Sequence, residues 1–241
     1  MKRIVFLVLR LLYRIPGWLW KIRYYNNHRE DTSFQERFTF VKKIILKVNQ
    51  KSRVRIHCYG LENLPEEQGY LIAPNHQGLF DVLTLFETHP QPFKAVVKTE
   101  LMDAFVLGKV LKLLEFLPLD RSNLRGSVKV IRQVTKEMKE DMTYVIFPEG
   151  TRCRKQNEML EFKGGTFKAV IDAKKPIVPV ALIDCYKVFD NNTIQPVDAQ
   201  IHYLEPLFYE EYQGKNSTEI AGIVQERIRK CIQEHEYDFS K

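Results

Sequence analysis

The chain has 241 residues, of which 44% are hydrophobic and 28% are charged, with 11 Gly and 11 Pro. This length and composition predict one sizeable globular domain, or a domain with an appendage, and exclude a disordered chain as the default. The net charge of +7 comes from the first 29 residues, which hold seven bases and no acid. Because the remainder is formally neutral, we expect no nucleic-acid partner.

The cysteines and histidines are scattered along the sequence. The four cysteines include no pair with C-x-x-C spacing, so we expect free thiols in a reducing compartment. The six histidines show no H-x-x-x-H or similar spacing. We therefore expect no metal site and no cofactor.

Residues 1–29, MKRIVFLVLRLLYRIPGWLWKIRYYNNHR, combine apolar and basic residues. On a helix, Arg3, Arg10 and Arg14 fall within about 40° of one another, and aliphatic residues cover the rest. Charges interrupt the segment too often for a membrane span, which needs about 20 apolar residues. We predict that residues 1–29 lie in a membrane interface, their basic side chains reaching anionic headgroups.

Pro16-Gly17 should break or bend this helix, and the aromatic residues that follow are typical of the water–lipid boundary. Three other interpretations remain open. They are a signal peptide, although no small-residue cleavage site follows, a tilted transmembrane or re-entrant helix, and an ordinary packed amphipathic helix. The preferred interpretation places the protein peripherally on the cytoplasmic face of the cell membrane.

Helical and strand-like segments alternate in the rest of the chain. Apolar periodicity predicts helices over residues 34–50, 80–87, 124–140, 166–174 and 216–235, the last capped by Ser217 or Thr218. Short apolar runs predict strands over residues 53–60, 69–75, 93–98, 143–148, 176–182 and 199–207. This order predicts an α/β fold, in which helices flank a central, mostly parallel mixed β-sheet. We expect residues 1–50 to form a two-helix docking element and residues 51–241 the α/β domain.

Polar residues end three strand-like segments, at the sheet edge where such folds bind their ligands. The segments are APNHQGLFD, LEFLPLDR and VIFPEGTR, at residues 73–81, 114–121 and 145–152. A tight turn with solvated charges would explain any one of them, but three at successive strand ends favour a functional site.

His76 and Asp81 have the chemistry of a general base and its orienting carboxylate. A neutral imidazole can take a proton from a hydroxyl that attacks a carbonyl, and a carboxylate on the other ring nitrogen fixes the tautomer. On one helix the two would lie about 140° apart, so we expect a turn at Gly78 and Asp81 in the next helix. The alternative is a strand-end histidine with Asp81 as a helix cap. No residue is predicted as an enzyme nucleophile, which favours direct transfer to a substrate hydroxyl.

Three basic residues lie at the ends of separate segments and could converge on one edge of the sheet. They are Lys98, Arg121 and Arg152. Two guanidinium groups and an ammonium suit a phosphate ester. Each could instead form an ion pair with a neighbouring acidic residue.

These segments resemble the sequence blocks of the glycerolipid acyltransferase family. NHQGLFD is similar to the N-H-x-x-x-x-D block, KTEL to K-x-E-L, and LEFLPLDR to the block that ends in Arg. VIFPEGTR is similar to F-P-E-G-T-R, EFKGGTFKAV to F-K-x-G, and PIVPVAL to V-P-V. The resemblance covers residues 70–183, in the family's order. One departure is Gly78, where the family often has serine.

The resemblance implies an enzyme that moves a fatty acyl group from a thioester, on acyl carrier protein or coenzyme A, to lysophosphatidic acid. The product would be phosphatidic acid, with His76 as the base and Asp81 as its orienter. The residues implied to hold the acceptor's phosphate or to shape its pocket are Lys98, Arg121, Glu149, Gly150, Thr151 and Arg152.

Three alternatives remain open at this point. The acceptor could be glycerol 3-phosphate or another lysophospholipid. The same base could activate water, which would make the protein a lipid or thioester hydrolase. The chain could also be a non-enzymatic module that binds anionic lipids.

Overall fold

The computed structural model describes residues 2–120 and 123–239. In these residues the helices are α1 Lys2–Leu11, α2 Ile15–Asn27, α3 Phe34–Lys51, α4 Asp81–Thr88, α5 Leu107–Leu113, α6 Leu124–Lys139, α7 Lys168–Ala173, α8 Tyr209–Tyr212 and α9 Ser217–His235. The strands are β1 Val54–Tyr59, β2 Leu71–Pro74, β3 Lys94–Lys98, β4 Leu117–Leu119, β5 Tyr144–Val145, β6 Ile177–Ile183 and β7 Val197–Tyr203.

The strands of the described residues form one sheet in the order β1-β7-β6-β2-β5-β3-β4. Neighbours in this sheet pair in parallel except β6 and β7, which are antiparallel. The prediction of a mostly parallel mixed sheet flanked by helices is therefore confirmed. Because β2, β5 and β3 run in the same direction, the residues that follow them meet at one edge of the sheet.

Helices cover both faces of the sheet. One buried cluster joins the sheet to α6, α7 and α9, through residues such as Val134, Val170 and Val224. The second cluster joins it to α2, α3, α4 and α5, and includes Tyr25 and Phe38. Helices α2 and α3, which we expected in a docking element, thus share a core with the α/β domain.

Several element boundaries differ from the prediction for local reasons. The cap of α9 is Asn216, not Ser217 or Thr218, because its side chain accepts hydrogen bonds from the backbone N–H groups of residues 218 and 219. The helix expected over 166–174 divides into a 3₁₀ turn, Gly164–Phe167, and α7. The strand expected over 143–148 forms ladder pairs only at Tyr144–Val145.

The N-terminal helix breaks before the proline, not at it. A 3₁₀ turn over Leu12–Arg14 ends α1, and Pro16 lies in the first turn of α2. That position suits proline, because the first N–H groups of a helix have no intrahelical acceptor.

Arg3 corrects the expectation that the basic residues of this segment all reach towards headgroups. Its side chain is buried and donates hydrogen bonds to the carbonyl oxygens of Ser52, at 2.5 Å, and Gln195, at 2.6 Å. Arg10 and Arg14 are exposed. Within residues 2–120 and 123–239, no helix combines the length and the apolar character needed to cross a membrane.

Candidate active site

The loop between β2 and α4 brings His76 and Asp81 together. Strand β2 is buried along its whole length and ends at Pro74, and Asp81 is the first residue of α4, as expected. The His76 Nδ1–H donates to Asp81 Oδ2 at 2.7 Å. The lone pair of the imidazole is then on Nε2, the position from which it can accept a proton.

Asp81 is held so that its carboxylate serves the loop as well as the imidazole. Its Oδ2 also accepts the backbone N–H groups of Gln77, at 2.7 Å, and Gly78, at 2.9 Å. The Asp81 side chain is fully buried, whereas 22% of the His76 side chain is exposed. A buried carboxylate thus orients an imidazole that solvent can reach.

Gly78 has a different role from the one we expected. Its backbone is not in the left-handed region, so the turn does not require glycine for its φ angle. A Cβ atom at this position would lie 3.3 Å from the Cα of Tyr186. The loop therefore needs a small residue here because it packs closely against the chain after β6.

Glu149 connects the loop after β5 to the His76 loop. Its Oε1 accepts the backbone N–H of His76 at 2.7 Å, and its Oε2 accepts that of Leu160 at 2.9 Å. Only 1% of Glu149 is exposed. Burial raises the pKa of Glu149 to about 7, against the effect of these two hydrogen bonds, which lower it. With both carboxylate oxygens bound to the backbone, Glu149 positions the loop instead of facing a ligand.

The rest of the VIFPEGTR segment, residues 150–152, forms a turn between the buried Glu149 and the exposed Thr151. Gly150 adopts a left-handed φ of 75°, which favours glycine, and its N–H donates to the carbonyl oxygen of Phe147 at 3.1 Å. Thr151 is exposed, and Arg152 is half-buried. The backbone N–H of Cys153 donates to the carbonyl oxygen of His76 at 2.8 Å, so Arg152 lies directly beside the His76 loop.

Lys98 and Arg121 are the other two basic residues predicted to bind the phosphate. Lys98 ends β3 and forms an exposed ion pair with Glu100, its Nζ lying 2.7 Å from Oε1. Arg121 lies outside the described residues. By contrast, Arg152 has no hydrogen-bond or ion-pair partner for its side chain among residues 2–120 and 123–239.

Three polar side chains that the sequence did not single out hold the His76 loop in place. Asn75 pairs with the backbone of Leu182 through both its Oδ1 and its Nδ2. Gln77 accepts the N–H of Cys185 at 2.9 Å and donates to Asn157 Oδ1 at 2.8 Å. Asn75 and Gln77 flank the histidine and could have been suspected from that position, but no sequence signal marks Asn157.

The geometry defines a class of protein. A solvent-accessible imidazole is oriented by a buried carboxylate, at the carboxyl edge of a parallel sheet, with a half-buried guanidinium on the adjacent loop. The chemistry of this arrangement is that of an oriented base beside a cationic side chain that suits an anionic group. The chain belongs to the acyltransferase family, whose family model matches residues 55–183 and so includes this site.

Individual relatives support the same assignment. The 1-acyl-sn-glycerol-3-phosphate acyltransferase alpha of Mus musculus is 27% identical over 176 residues, which are 71% of this chain and 61% of that protein. The 1-acyl-sn-glycerol-3-phosphate acyltransferase of Helicobacter pylori is 28% identical over 159 residues, 62% of this chain and 67% of that protein. The chain thus matches about half to two thirds of the length of its curated relatives.

A solved structure has the same fold along the whole chain. The crystal structure of the 1-acyl-sn-glycerophosphate (LPA) acyltransferase from Thermotoga maritima superposes with a TM-score of 0.76 at 20% identity, covering 100% of both chains. The fold described above, including its N-terminal helices, is therefore one that a solved structure also adopts.

Proposed function

We propose that the protein is an acyltransferase that moves a fatty acyl group from a thioester to the free hydroxyl of lysophosphatidic acid, giving phosphatidic acid. The observation that carries this proposal is the 2.7 Å contact between His76 Nδ1 and the fully buried Asp81. Its relatives of known name act on 1-acyl-sn-glycerol-3-phosphate, which gives the acceptor.

The proposed reaction is direct transfer without a covalent enzyme intermediate. His76 Nε2 removes the proton of the acceptor hydroxyl as its oxygen forms a bond to the thioester carbonyl carbon. The carbon–sulfur bond then breaks, and the proton passes from His76 to the departing thiolate. Asp81 stabilises the imidazolium in between, through the Nδ1–H bond. The thioester is carried by acyl carrier protein or coenzyme A.

The cationic side chains at this edge suit the acceptor's phosphate. Arg152 is half-buried beside the His76 loop, and no acidic side chain of the described residues neutralises it. Lys98 can exchange its exposed partner Glu100 for a phosphate at little cost, because surface ion pairs are weak. Arg121 completes the proposed set of phosphate contacts. Gly150 and Thr151 shape the turn that carries Arg152.

We also propose that the protein works on a membrane surface with anionic lipids, at the cytoplasmic face of the cell membrane. Helix α1 and the 3₁₀ turn that follows it expose a run of large apolar residues, and Trp20 of α2 is 69% exposed. These residues are Ile4, Val5, Val8, Leu9, Leu12 and Tyr13. An exposed apolar surface beside basic side chains is the character of a helix that lies in the lipid interface.

The test is a purified-protein assay with several acceptors and both donors. Lysophosphatidic acid, glycerol 3-phosphate and a lysophosphatidylcholine are each combined with acyl carrier protein or coenzyme A thioesters, and products are identified by mass spectrometry. We expect phosphatidic acid from lysophosphatidic acid. Release of free fatty acid instead would identify a hydrolase, and absence of turnover with all pairs would favour a lipid-binding module.

His76→Ala tests the mechanism within the same assay. We expect the rate of transfer to fall roughly 100-fold or more, the usual contribution of a general base. The matched control is His28→Ala, at an exposed histidine of the turn after α2, which should leave the rate unchanged. Transfer by His76→Ala near the wild-type rate, in a folded protein, would exclude the imidazole as base.

A further inference from the structure

A second cluster of polar side chains lies away from the His76 loop, between helix α9 and strand β7. His202, Cys231 and His235 each offer one ligand atom, and these atoms lie within 4.8 Å of one another. His202 belongs to β7, which is two places from β2 in the sheet order. Cys231 and His235 lie four residues apart on α9, so they point to the same side of that helix.

The hydrogen bonds around the cluster fix the tautomers of both histidines. Gln200 donates through its Nε2 to the carbonyl oxygen of His235 at 3.0 Å, which orients its Oε1 as an acceptor. His202 Nε2–H then donates to this Oε1 at 2.9 Å. His235 Nδ1–H donates to Asp238 Oδ2 at 3.0 Å. The remaining nitrogens, Nδ1 of His202 and Nε2 of His235, therefore carry lone pairs.

This arrangement has the form that metal-binding histidines take in proteins. A ligating histidine almost always donates its second N–H to a carboxylate, carbonyl or similar acceptor, and that bond orients the ring. His202 and Cys231 are 7% and 6% exposed, whereas 40% of the His235 side chain is exposed. The buried pair would be shielded from water, and the His235 side would give an ion its entry path.

We propose that His202, Cys231 and His235 bind a zinc ion. One thiolate and two neutral imidazoles are the ligand types that Zn²⁺ prefers, and Cys231 loses its proton to solvent as it coordinates. A water molecule completes the tetrahedral shell, while Asp238 keeps its hydrogen bond to His235 Nδ1–H. Such an ion joins the last turn of α9 to the β1–β7 edge of the sheet, so it stabilises the fold and takes no part in acyl transfer.

The sequence did not predict this site, because the relevant spacing is C-x-x-x-H and not a pair of histidines. Cys231 and His235 alone would be an ordinary helical pair. Only the fold brings His202, from a strand that ends 28 residues before Cys231, against them. The rings of His202 and His235 are stacked, with centroids 4.6 Å apart, so binding requires the partly exposed His235 ring to rotate out of this stack.

The experiment uses the full chain, stripped of metal with a chelator and kept under a thiol reductant. We expect it to bind one Zn²⁺ per chain by calorimetry, to gain a thiolate-to-cobalt absorption band with Co²⁺, and to unfold at a higher temperature with Zn²⁺ than without. Cys231→Ser should abolish the cobalt band, and both Cys231→Ser and His235→Gln should weaken Zn²⁺ binding by about tenfold or more.

The matched control is His57→Gln, at a half-buried histidine of the neighbouring strand β1, which should bind Zn²⁺ like the wild type. His235→Gln lies at the end of α9, so it tests the site even where Cys231→Ser fails to fold. Absence of stoichiometric Zn²⁺ binding by the wild type would overturn the proposal. Equal binding by the wild type and the His235→Gln variant would also overturn it, because the ion would then lie elsewhere.

Discussion

A single oxygen atom of Asp81 binds both the imidazole of His76 and the loop that carries it. Because Oδ2 accepts the Nδ1–H of His76 together with the N–H groups of residues 77 and 78, the ring and the loop cannot move independently. Its other oxygen, Oδ1, is buried without a hydrogen-bond partner among the described residues. The arrangement gives up one hydrogen bond of a buried carboxylate and gains a defined orientation of the base.

The chemistry of this site was more predictable than its geometry. The types and order of His76, Asp81 and Arg152 predicted a base, its orienter and an anion contact, and the structure pairs the first two side chains at 2.7 Å. The family resemblance implied that Glu149 shapes the phosphate pocket, and the fold turns its side chain inward onto two backbone N–H groups. A sequence does not state which way a side chain faces next to a left-handed glycine, and Gly150, which follows Glu149 directly, is such a glycine.

We predict that Glu149 destabilises the folded protein as the pH rises. Its pKa is raised from 4.5 to about 7, so between these values the unfolded chain is ionised while the folded chain still holds the proton. The free energy of unfolding of the wild type, relative to Glu149→Gln, should therefore fall by roughly 3 kcal/mol from pH 4.5 to pH 7. Urea denaturation of both proteins across this range measures it, and a difference independent of pH would contradict the raised pKa.

Arg152 should affect the acceptor more than the acyl donor. Arg152→Ala removes the proposed phosphate contact, so we expect the KM for lysophosphatidic acid to rise about tenfold or more while the KM for the donor thioester changes little. Steady-state kinetics with each substrate varied in turn measures this. Arg132→Ala, at an exposed arginine of α6, is the matched control. Equal increases for both substrates would assign Arg152 a structural role.

At the scale of elements, the length of each segment decided what could be predicted. Helices α3, α6 and α9 each contain at least 16 residues, so their apolar periodicity was long enough to predict a helix. Each begins and ends within a residue or two of its prediction. Helices α5 and α8, of seven and four residues, are shorter than two full turns and were not predicted. Such elements form because their neighbours bury them, and that information lies elsewhere in the chain.

The exposed face of the N-terminal helices should control membrane binding. Deleting residues 1–29 would remove buried Arg3 and Tyr25 and damage the fold, so substitutions on the surface are the better test. We expect Leu9→Asp combined with Trp20→Asp, at positions 67% and 69% exposed, to weaken binding to anionic liposomes about 100-fold or more.

Co-sedimentation with vesicles that contain phosphatidylglycerol measures this loss. Phe208→Asp, at an apolar residue that is 45% exposed just before α8, is the matched control and should bind like the wild type. An unchanged sedimentation of the double variant, with normal folding by circular dichroism, would place the lipid contact on another surface.

At the scale of the whole molecule, two buried groups have opposite effects on acid stability. His89 is fully buried, its Nδ1–H donates to the carbonyl oxygen of Gln91, and its Nε2 accepts the hydroxyl of Tyr70. Burial lowers the pKa of His89 to about 4. As the pH falls, the unfolded chain therefore binds a proton that the folded chain rejects, whereas the Glu149 carboxyl acts in the other direction.

We predict that His89→Gln changes the dependence of stability on pH. The free energy of unfolding of the wild type, relative to this variant, should fall by roughly 3 kcal/mol as the pH decreases from 6.5 to 4. Urea denaturation at a series of pH values measures it, with His28→Gln as a control at an exposed histidine. A difference that stays constant with pH would mean that His89 ionises equally in both states.

The anchorage of Arg3 has a consequence for the membrane binding and the lipid substrate proposed above. Its guanidinium donates hydrogen bonds to the chain just ahead of both β1 and β7, which ties α1 to the sheet. If α1 lies at a fixed depth in the lipid interface, the His76 imidazole is held at a fixed height above the acyl chains. The protein would then select acceptors by the depth of their hydroxyl in the leaflet. It would acylate alcohols at that one depth and exclude those that a bulkier headgroup holds farther from the acyl chains.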